Sequence, residues 1–377
     1  RRMKLFEAAW EAADEAGRKR AAAILPSATS QFLSFRLTSA ARTLDDARFA
    51  LRSAPTPADE RRLEALQLAI DSRLVRPGKS LKATVRPFYK VDGEFPKDAT
   101  ATVRLADGKA IPVALDHLPA TVEVPVPADL ENCDTRLTLE IRHGNLRIRT
   151  AVGVSVIDSA RMLKLLGDSL EEERDWVKPG SLEEASRNER LEAVRKLRDS
   201  IPETDVPAAR SLAVVRNIEH EAEAGKNYFT IKRAGDRAIS VPVDDKTRVA
   251  CRVYVPPSLD PRNRVPVVVA LHGMGSSENL WFEGYGAGRI VKECKDRGWI
   301  LVAPRCELGF LGGPPPVFGI LDKLAERYPL DPKRIFLVGH SMGAAQVVDL
   351  VQKHPGKFAG VAVLGGGGRL KKPEAFD

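Results

Sequence analysis

The sequence predicts a multidomain chain: a helical region, then an all-β sandwich, then a doubly wound, mostly parallel α/β sheet. Three successive spacings of the apolar residues support this prediction. The spacing is helical near the start, alternates every second position from Leu81 to about Ile157, and becomes short continuous runs between helical stretches after residue 225. A length of 377 residues suits two or three domains. The predicted boundaries are 1–76, 79–158, 159–224 and 225–377.

The first region predicts a small helical hairpin or bundle. It is rich in Ala, Arg, Glu and Leu, and Phe6 and Trp10 stand one helical turn apart. A second helical stretch is expected after the proline-containing break at residues 54–57. It would contain Leu63, Leu66, Leu68 and Ile70.

The second region predicts short antiparallel strands. Leu137, Leu139 and Ile141 alternate with polar residues, and His143-Gly144-Asn145 predicts a hairpin turn. Several short strands at regular spacing are typical of an immunoglobulin-like sandwich. The earlier strands are expected at Ala83–Arg86, Ala101–Leu105, Ile111–Leu115 and Thr121–Val126.

Residues 159–224 predict a charge-rich helical linker. Two apolar stripes at helical spacing support it. They are Leu163, Leu166 and Leu170, and then Leu191, Val194 and Leu197.

The last region alternates buried strands with helices, which predicts a parallel sheet with right-handed crossovers. The helices are expected at Tyr285–Arg297 and Val317–Tyr328. The strands are expected at Val265–Leu271, Trp299–Ala303, Arg334–Val338 and Phe358–Leu364.

Two motifs follow strands of this sheet. Gly339-His340-Ser341-Met342-Gly343 is a G-x-S-x-G pentapeptide between a strand and a helix, the setting that a nucleophile elbow requires. His272-Gly273-Met274-Gly275 follows the strand Val265–Leu271 directly. Both place backbone N–H groups at the carboxyl ends of strands, where ligands bind in open parallel sheets.

In these motifs the chain resembles the α/β-hydrolase superfamily, and in particular its serine esterases, including feruloyl-esterase-like members. The resemblance covers roughly residues 225–377. It implies Ser341 as the nucleophile and the N–H groups of Met274 and Met342 as oxyanion-hole donors, with Gly273 flanking them. It implies no cofactor and no metal. His272 is expected to shape its loop by hydrogen bonding, since in this family the catalytic histidine follows the serine.

The remaining triad members have no good candidate downstream of Ser341. The only later histidine, His354, ends the helix that starts at Ser341, several turns away. Glu374 and Asp377 lie in a charged segment with no strand before them. We therefore expect the acid and histidine to lie beyond residue 377, which leaves the hydrolase core incomplete at its C-terminal end.

Aromatic and apolar side chains follow two strands of the predicted sheet. They either line an acyl or leaving-group pocket or pack the loops onto the following helices, and the sequence leaves both interpretations open. The residues are Trp281, Phe282, Phe310 and Leu311.

Composition excludes some partners and leaves the compartment undecided. The net charge is +8, but basic and acidic residues are interleaved, and there is no zinc-finger, RRM or helix-turn-helix signature. No apolar run is long enough to span a membrane. The expected partner is a small-molecule or polymer-linked ester, not nucleic acid. The four cysteines lack metal-ligand spacing, so free thiols are expected.

Three functions compete at this point. A serine hydrolase that cleaves carboxylic esters through an acyl-enzyme on Ser341 is favoured by the two motifs together. A serine peptidase of the prolyl-oligopeptidase type shares this core but would carry a propeller, and no blade repeat is present. A non-catalytic polymer-binding protein with a decayed hydrolase is the third, and the intact motifs disfavour it.

Overall fold

The computed structural model describes residues 2–130, 132–158, 177–197, 206–306 and 314–368. They form two compact units. The first comprises the described residues up to 158 together with residues 194–197 and 206–211, and the second comprises the rest. The predicted stripe of Leu163, Leu166 and Leu170 lies outside the described residues. Within those residues, no helix is long and apolar enough to cross a membrane.

Four helices open the first unit: α1 (Arg2–Ala12), α2 (Glu15–Leu33), α3 (Leu37–Ala50) and α4 (Ala58–Glu64). Asp14 caps α2, because its carboxylate accepts the N–H of Gly17 at 2.7 Å. Phe6, Ala21, Ala47 and Leu51 form a small buried core between the first three helices, in which the alanines allow close approach.

One part of the predicted helical region is wrong. Residues Leu66–Ile70 form strand β1, which pairs antiparallel with Ser80–Pro87, strand β3. Leu66 and Ile70 are four positions apart, which fits a helix, but Leu66 and Leu68 are two apart and both buried, which fits a strand. The pairing partner that decides between these periods is distant in sequence.

Two mainly antiparallel sheets follow, and their inner faces share one core. The short strand Leu74–Val75 is the exception, because it pairs parallel with Ser155 and Val156. One has the order β1-β3-β6 and the other β2-β8-β7-β4-β5. Their buried residues include Leu81, Val85, Leu137, Leu139 and Ile141. The remaining strands are β2 (Leu74–Val75), β4 (Thr100–Leu105), β5 (Ile111–Val113), β6 (Ala120–Pro125), β7 (Cys133–His143) and β8 (Leu146–Val156).

The predicted hairpin is confirmed. His143 pairs with Leu146, so Gly144 and Asn145 form a two-residue turn, with Gly144 at a φ of 53°. The other predicted strands of this region also form, with ends shifted by a few residues. The immunoglobulin-like assignment and the separate helical domain stay predictions.

The second unit contains a six-stranded sheet of order β14-β13-β11-β12-β10-β9. The first four strands in this order run parallel, and β10 and β9 add an antiparallel edge. The strands are β9 (Gly235–Pro242), β10 (Arg248–Val255), β11 (Val265–Leu271), β12 (Ile300–Pro304), β13 (Leu330–His340) and β14 (Gly360–Leu364). The four strands predicted from apolar runs are therefore confirmed.

Apolar side chains cover both faces of the sheet around β11, whereas the residues of the edge strand β14 are mostly exposed. Along β11, Val267 and Val269 belong to one core cluster, and Val268 and Ala270 belong to another on the opposite face. This double burial explains why the strand is a continuous apolar run. The helices are α5 (Leu182–Lys196), α6 (Ala208–Glu223), α7 (Leu280–Glu283), α8 (Arg289–Arg297), α9 (Val317–Ala325) and α10 (Met342–Lys353).

Helices α5 and α6 contribute to this core. Leu182 and Ile218 are fully buried in the same cluster as Val267 and Val269. The sequence assigns both helices to a linker because the segment is rich in charged residues. Their apolar stripes are nevertheless buried, as Leu191, Val194 and Leu197 also show.

The connections that leave β11 and β13 run in opposite directions. From β11 the chain crosses to β12 on one side, and from β13 it crosses to β14 on the other. Because β11 and β13 are neighbours, a crevice opens between their carboxyl ends, the position where open α/β sheets bind ligands. The two sequence motifs follow these two strands.

Candidate active site

Ser341 occupies a tight turn between β13 and α10. Its φ of 53° and ψ of −114° are values that non-glycine residues rarely adopt. The turn is held on both sides: the Ser341 N–H donates to the Leu364 carbonyl at 2.8 Å, and the Ser341 carbonyl accepts the N–H groups of Ala344 and Ala345. The backbone therefore fixes the side chain of Ser341 at the N-terminus of α10.

The glycines of the pentapeptide are required by crowding. A Cβ on Gly339 would lie 2.3 Å from the carbonyl oxygen of Gly343, and a Cβ on Gly343 would lie 2.3 Å from that of Leu271. Both neighbours are backbone atoms, which cannot rotate away. The first turn of α10 thus packs directly against the end of β11.

The same close approach brings the second motif to Ser341. A Cβ on Gly273 would lie 3.4 Å from the Cβ of Ser341. Met342 is the first residue of α10, and first-turn N–H groups have no acceptor inside their own helix. The structure therefore brings Gly273, Ser341 and Met342 together, and Met274 follows Gly273 in the chain.

His272 ties the loop after β11 to the segment after β12. Its side chain is buried, and its Nε2 accepts the N–H of Cys306 at 2.9 Å. That bond leaves the ring proton on Nδ1, which donates to the Gly273 carbonyl at 2.8 Å. Both nitrogens are occupied by backbone partners, as expected for a residue that shapes the loop.

Tyr285, for which the sequence predicts only a place in a helix, lies beside the elbow. The Tyr285 hydroxyl lies 2.7 Å from Nδ1 of His340, the residue before Ser341, and the two rings meet edge to face. Burial lowers the pKa of His340 below its ordinary value. The predicted helix over Tyr285–Arg297 begins only at Arg289, because Gly286, Ala287 and Gly288 have left-handed φ values.

Trp281 and Phe282 are both buried. The Trp281 ring contacts the Tyr285 ring edge to face, with centroids 4.6 Å apart. Phe282 lies under the guanidinium of Arg252, 4.8 Å from its ring centroid. Both side chains thus pack the loop onto the protein, and Phe310 and Leu311 lie outside the described residues.

Arg252, on β10, anchors the segment that carries these aromatic residues. Its guanidinium forms bidentate hydrogen bonds with Asp236 and also binds Asn279 at 2.9 Å and Glu283 at 2.6 Å. Asn279 directly precedes α7 and Glu283 is its last residue, so one side chain of the sheet fixes both ends of that short helix. The sequence offers no signal for this contact because Arg252 is 27 and 31 residues from its partners.

No described histidine, aspartate or glutamate hydrogen-bonds the Ser341 hydroxyl. His354 follows the last residue of α10 and packs its ring against Phe318, so it stands about 20 Å along the helix from Ser341. Glu278, which is also near the motif loop, pairs bidentately with Arg305 at 2.8 and 2.9 Å.

Other chemistries find little support in the part of the chain that the structure describes. No cluster of His, Cys, Asp or Glu there has the arrangement of a metal site. All four cysteines are free, as expected. Burial raises the pKa of Cys294 and of Cys306 to about 12, so both are neutral thiols at physiological pH and poor nucleophiles.

The comparisons with known proteins point to esterases. The chain is 26% identical over 138 residues to feruloyl esterase B of Thermothelomyces thermophilus, a match that covers 33% of this chain and 46% of that protein. The chain thus spans about half the length of this curated relative. No protein-family model matches.

Solved structures with some likeness also include esterases. An S-formylglutathione hydrolase from Agrobacterium tumefaciens is 18% identical, with a TM-score of 0.27 over 34% of this chain and 57% of that one. A thermostable esterase is 14% identical, with a TM-score of 0.34 over 83% and 80% of the two chains. Both TM-scores are too low to establish a common fold for the whole chain.

Proposed function

We propose that this protein is a serine hydrolase that cleaves carboxylic esters through an acyl-enzyme on Ser341. One observation carries the proposal: Ser341 sits on a turn with left-handed φ, at the crevice between oppositely connected strands, with Gly273 packed against it. A turn with no chemical role has no need of a serine at a φ that costs backbone energy. The similarity to a feruloyl esterase supports the choice of esters over peptides.

In the proposed reaction the Ser341 hydroxyl oxygen attacks the acyl carbon of the ester, and its proton passes to a general base. The carbonyl oxygen becomes an oxyanion, which the N–H groups of Met274 and Met342 stabilise. Backbone donors suit this role because they are in place before charge develops. Loss of the alcohol gives the acyl-enzyme, and water then releases the acid.

The proposal requires a base within hydrogen-bond reach of Ser341. All six histidines of the chain lie in its described part, and none of them bonds to the Ser341 hydroxyl. None of the described histidines is therefore in position to act as that base. Without a base, only about 10³–10⁴ of acceleration over water is expected to remain.

The natural full-length protein tests the assignment. It should hydrolyse p-nitrophenyl acetate and react with a fluorophosphonate on Ser341, as located by peptide mass spectrometry. Ser341→Ala should abolish both while leaving the melting temperature no lower. Ser258→Ala, in an exposed turn, is the matched control and should retain both. Undiminished turnover by Ser341→Ala, or labelling of another residue, would refute the proposal.

Trp281 and Phe282 are the proposed substrate contacts among the described residues, and the structure gives each a packing partner as well. An acyl-chain series from acetate to octanoate separates the two roles. A pocket residue changed to Ala should alter the chain-length profile of kcat/KM by about 1–3 kcal/mol per lost contact group. A uniform loss together with a lower melting temperature would show that the residue only packs the loop.

A further inference from the structure

We infer that Tyr285 and His340 form a positioning pair that fixes the Gly273 loop over Ser341. This inference rests on the proposed function, but the pair itself can be tested without any turnover. Neither residue takes part in the proposed reaction, because neither is bonded to the Ser341 hydroxyl. The Tyr285 hydroxyl and the His340 ring nitrogen that form the bond belong to two different segments.

The pair lies against the backbone that carries the proposed oxyanion donor. A Cβ on Gly273 would lie 3.0 Å from Nδ1 of His340 and 3.4 Å from the hydroxyl oxygen of Tyr285. Gly273 therefore faces both atoms of the Tyr285–His340 hydrogen bond. Any residue with a side chain at position 273 would push this bond apart or move the loop away from Ser341.

Each partner is held from its own side. His340 is the last residue of β13 and pairs with Leu364 in the sheet, so its backbone is fixed by the ladder. Tyr285 is clamped between the rings of Trp281 and His340, with centroids 4.6 Å and 4.9 Å away. The hydrogen bond thus joins the end of a rigid strand to the segment around Tyr285, and Gly273 packs against the bonded atoms.

The backbone turns sharply between Tyr285 and the start of α8. Ala287 has a φ of 51°, a conformation that a residue with a Cβ adopts only at an energetic cost. Gly288 lies so close to the Phe282 carbonyl that a Cβ there would be 2.4 Å from the oxygen. This unfavourable turn delays the start of α8 to Arg289, so Tyr285 lies before that helix and not within it.

The pair would affect catalysis by holding the proposed oxyanion donor in position. Hydrogen-bond donors for an oxyanion act only when they are held in place before the reaction, and small displacements cost much of their effect. His272 fixes the loop from its buried side through Gly273 and Cys306. The Tyr285–His340 pair would fix it from the side of Ser341, so the loop is held at two points.

Hydrogen exchange of residues 273–275 tests the pair directly, with mass-spectrometric readout. Tyr285→Phe should raise the exchange rate of these amides by about fivefold or more, the effect of one lost hydrogen bond. Tyr254→Phe removes a hydroxyl from the same apolar cluster and is the matched control, which should leave the exchange unchanged. An unchanged rate in Tyr285→Phe overturns the inference, whether or not the protein proves to be an esterase.

Ester hydrolysis tests the positioning role. Tyr285→Phe should lower kcat by about tenfold to a hundredfold with KM changed less than about twofold, since a displaced donor weakens binding of the oxyanion and not of the ester. His340→Asn keeps an acceptor near the position of Nδ1 and should recover most of the kcat that His340→Leu loses. Faster exchange in Tyr285→Phe with an unchanged kcat would overturn the positioning role and leave the proposed function standing.

Discussion

Two glycine-containing turns in this molecule have opposite surroundings. In the β7–β8 hairpin, a Cβ on Gly144 would meet nothing within 4 Å, so that glycine is needed only for its positive φ. In the β13–α10 elbow, Gly339 and Gly343 face backbone atoms at 2.3 Å. The first turn only reverses the chain, whereas the second brings three segments together. Between these two turns, crowding around the glycines therefore separates the candidate site from the simple connection.

The sheets that contain these two turns also differ, in how many of their faces are buried. Along β7, buried and more accessible residues alternate, because one face of that sheet packs on the core. Along β11, six consecutive residues are buried, because helices and loops cover both faces. The elbow stands on the doubly covered sheet, where each residue is constrained from two sides.

The glycine comparison predicts the largest effect on activity. Gly339→Ala forces backbone atoms apart, so we expect a loss of about 1–3 kcal/mol of stability and about 10²-fold of esterase activity. Gly144→Ala incurs only left-handed strain, about 1–2 kcal/mol, with full activity. Thermal unfolding and p-nitrophenyl acetate hydrolysis measure both. An active Gly339→Ala protein would mean that the elbow tolerates displacement.

Substitutions at adjacent positions of β11 and of β7 test this difference in burial between the two sheets. Val268→Ala and Val269→Ala should each cost about 1.5–3 kcal/mol, because both residues of this consecutive pair are buried. In β7, Leu139→Ala should cost about 2–5 kcal/mol and Thr138→Ala less than about 1 kcal/mol. Denaturant unfolding gives the four values. Equal costs at Leu139 and Thr138 would contradict the one-sided burial of β7.

Charged anchors differ between the two regions as well. Arg252 is 18% exposed and holds Asp236, Asn279 and Glu283, so Arg252→Met should cost about 1–3 kcal/mol. Arg142, in the hairpin, is 56% exposed and holds Glu140, so Arg142→Met should stay within about 0.5 kcal/mol. Calorimetry at two salt concentrations compares them. A larger loss at Arg142 than at Arg252 would reverse the comparison.

The smallest expected effect depends on pH. Burial lowers the pKa of His340, so between its folded and unfolded pKa values the unfolded chain binds more protons. This contribution to stability is complete above about pH 6.5, the unfolded value, and is lost as pH falls through the folded pKa. The melting temperature of His340→Asn should therefore fall less than that of the parent between pH 7 and pH 5.

His117→Asn provides the control in the other region, because the His117 side chain is 90% exposed. Its acid sensitivity should match that of the parent protein. An acid response of His340→Asn identical to that of the parent would show that His340 does not contribute to the pH dependence of stability.

Patterns within one element predicted most of the fold. The apolar runs of β11, β12 and β13 and the alternation in β7 and β8 record burial directly, so these strands are found from sequence. The apolar run of β14 also predicts a strand, although most of its residues are exposed. The helical interpretation of Leu66–Ile70 is wrong because short apolar spacing fits both periods until β3 pairs with it. The helix expected to begin at Tyr285 begins at Arg289 instead. The three residues before it have left-handed φ values, and one of them is an alanine.

The two motifs predicted where the candidate site lies, because glycines beside a serine report a crowded turn. Its supporting contacts were not predictable in the same way. Tyr285 meets His340 across 55 residues, and Arg252 meets Glu283 across 31. Neither pair leaves a local pattern, since a tyrosine or an arginine at such a position is equally compatible with a surface. These contacts follow from the strand order, which brings separate segments to one crevice.

The backbone of Ser341 sets stability against reactivity. A φ of 53° with a side chain present costs about 1–3 kcal/mol, and a glycine at the same position would be free of that strain. Ser341→Gly should therefore melt at a higher temperature than the parent while losing the nucleophile. Selection for heat resistance alone would remove the serine, so its presence at this position is a sign that something other than stability has kept it there.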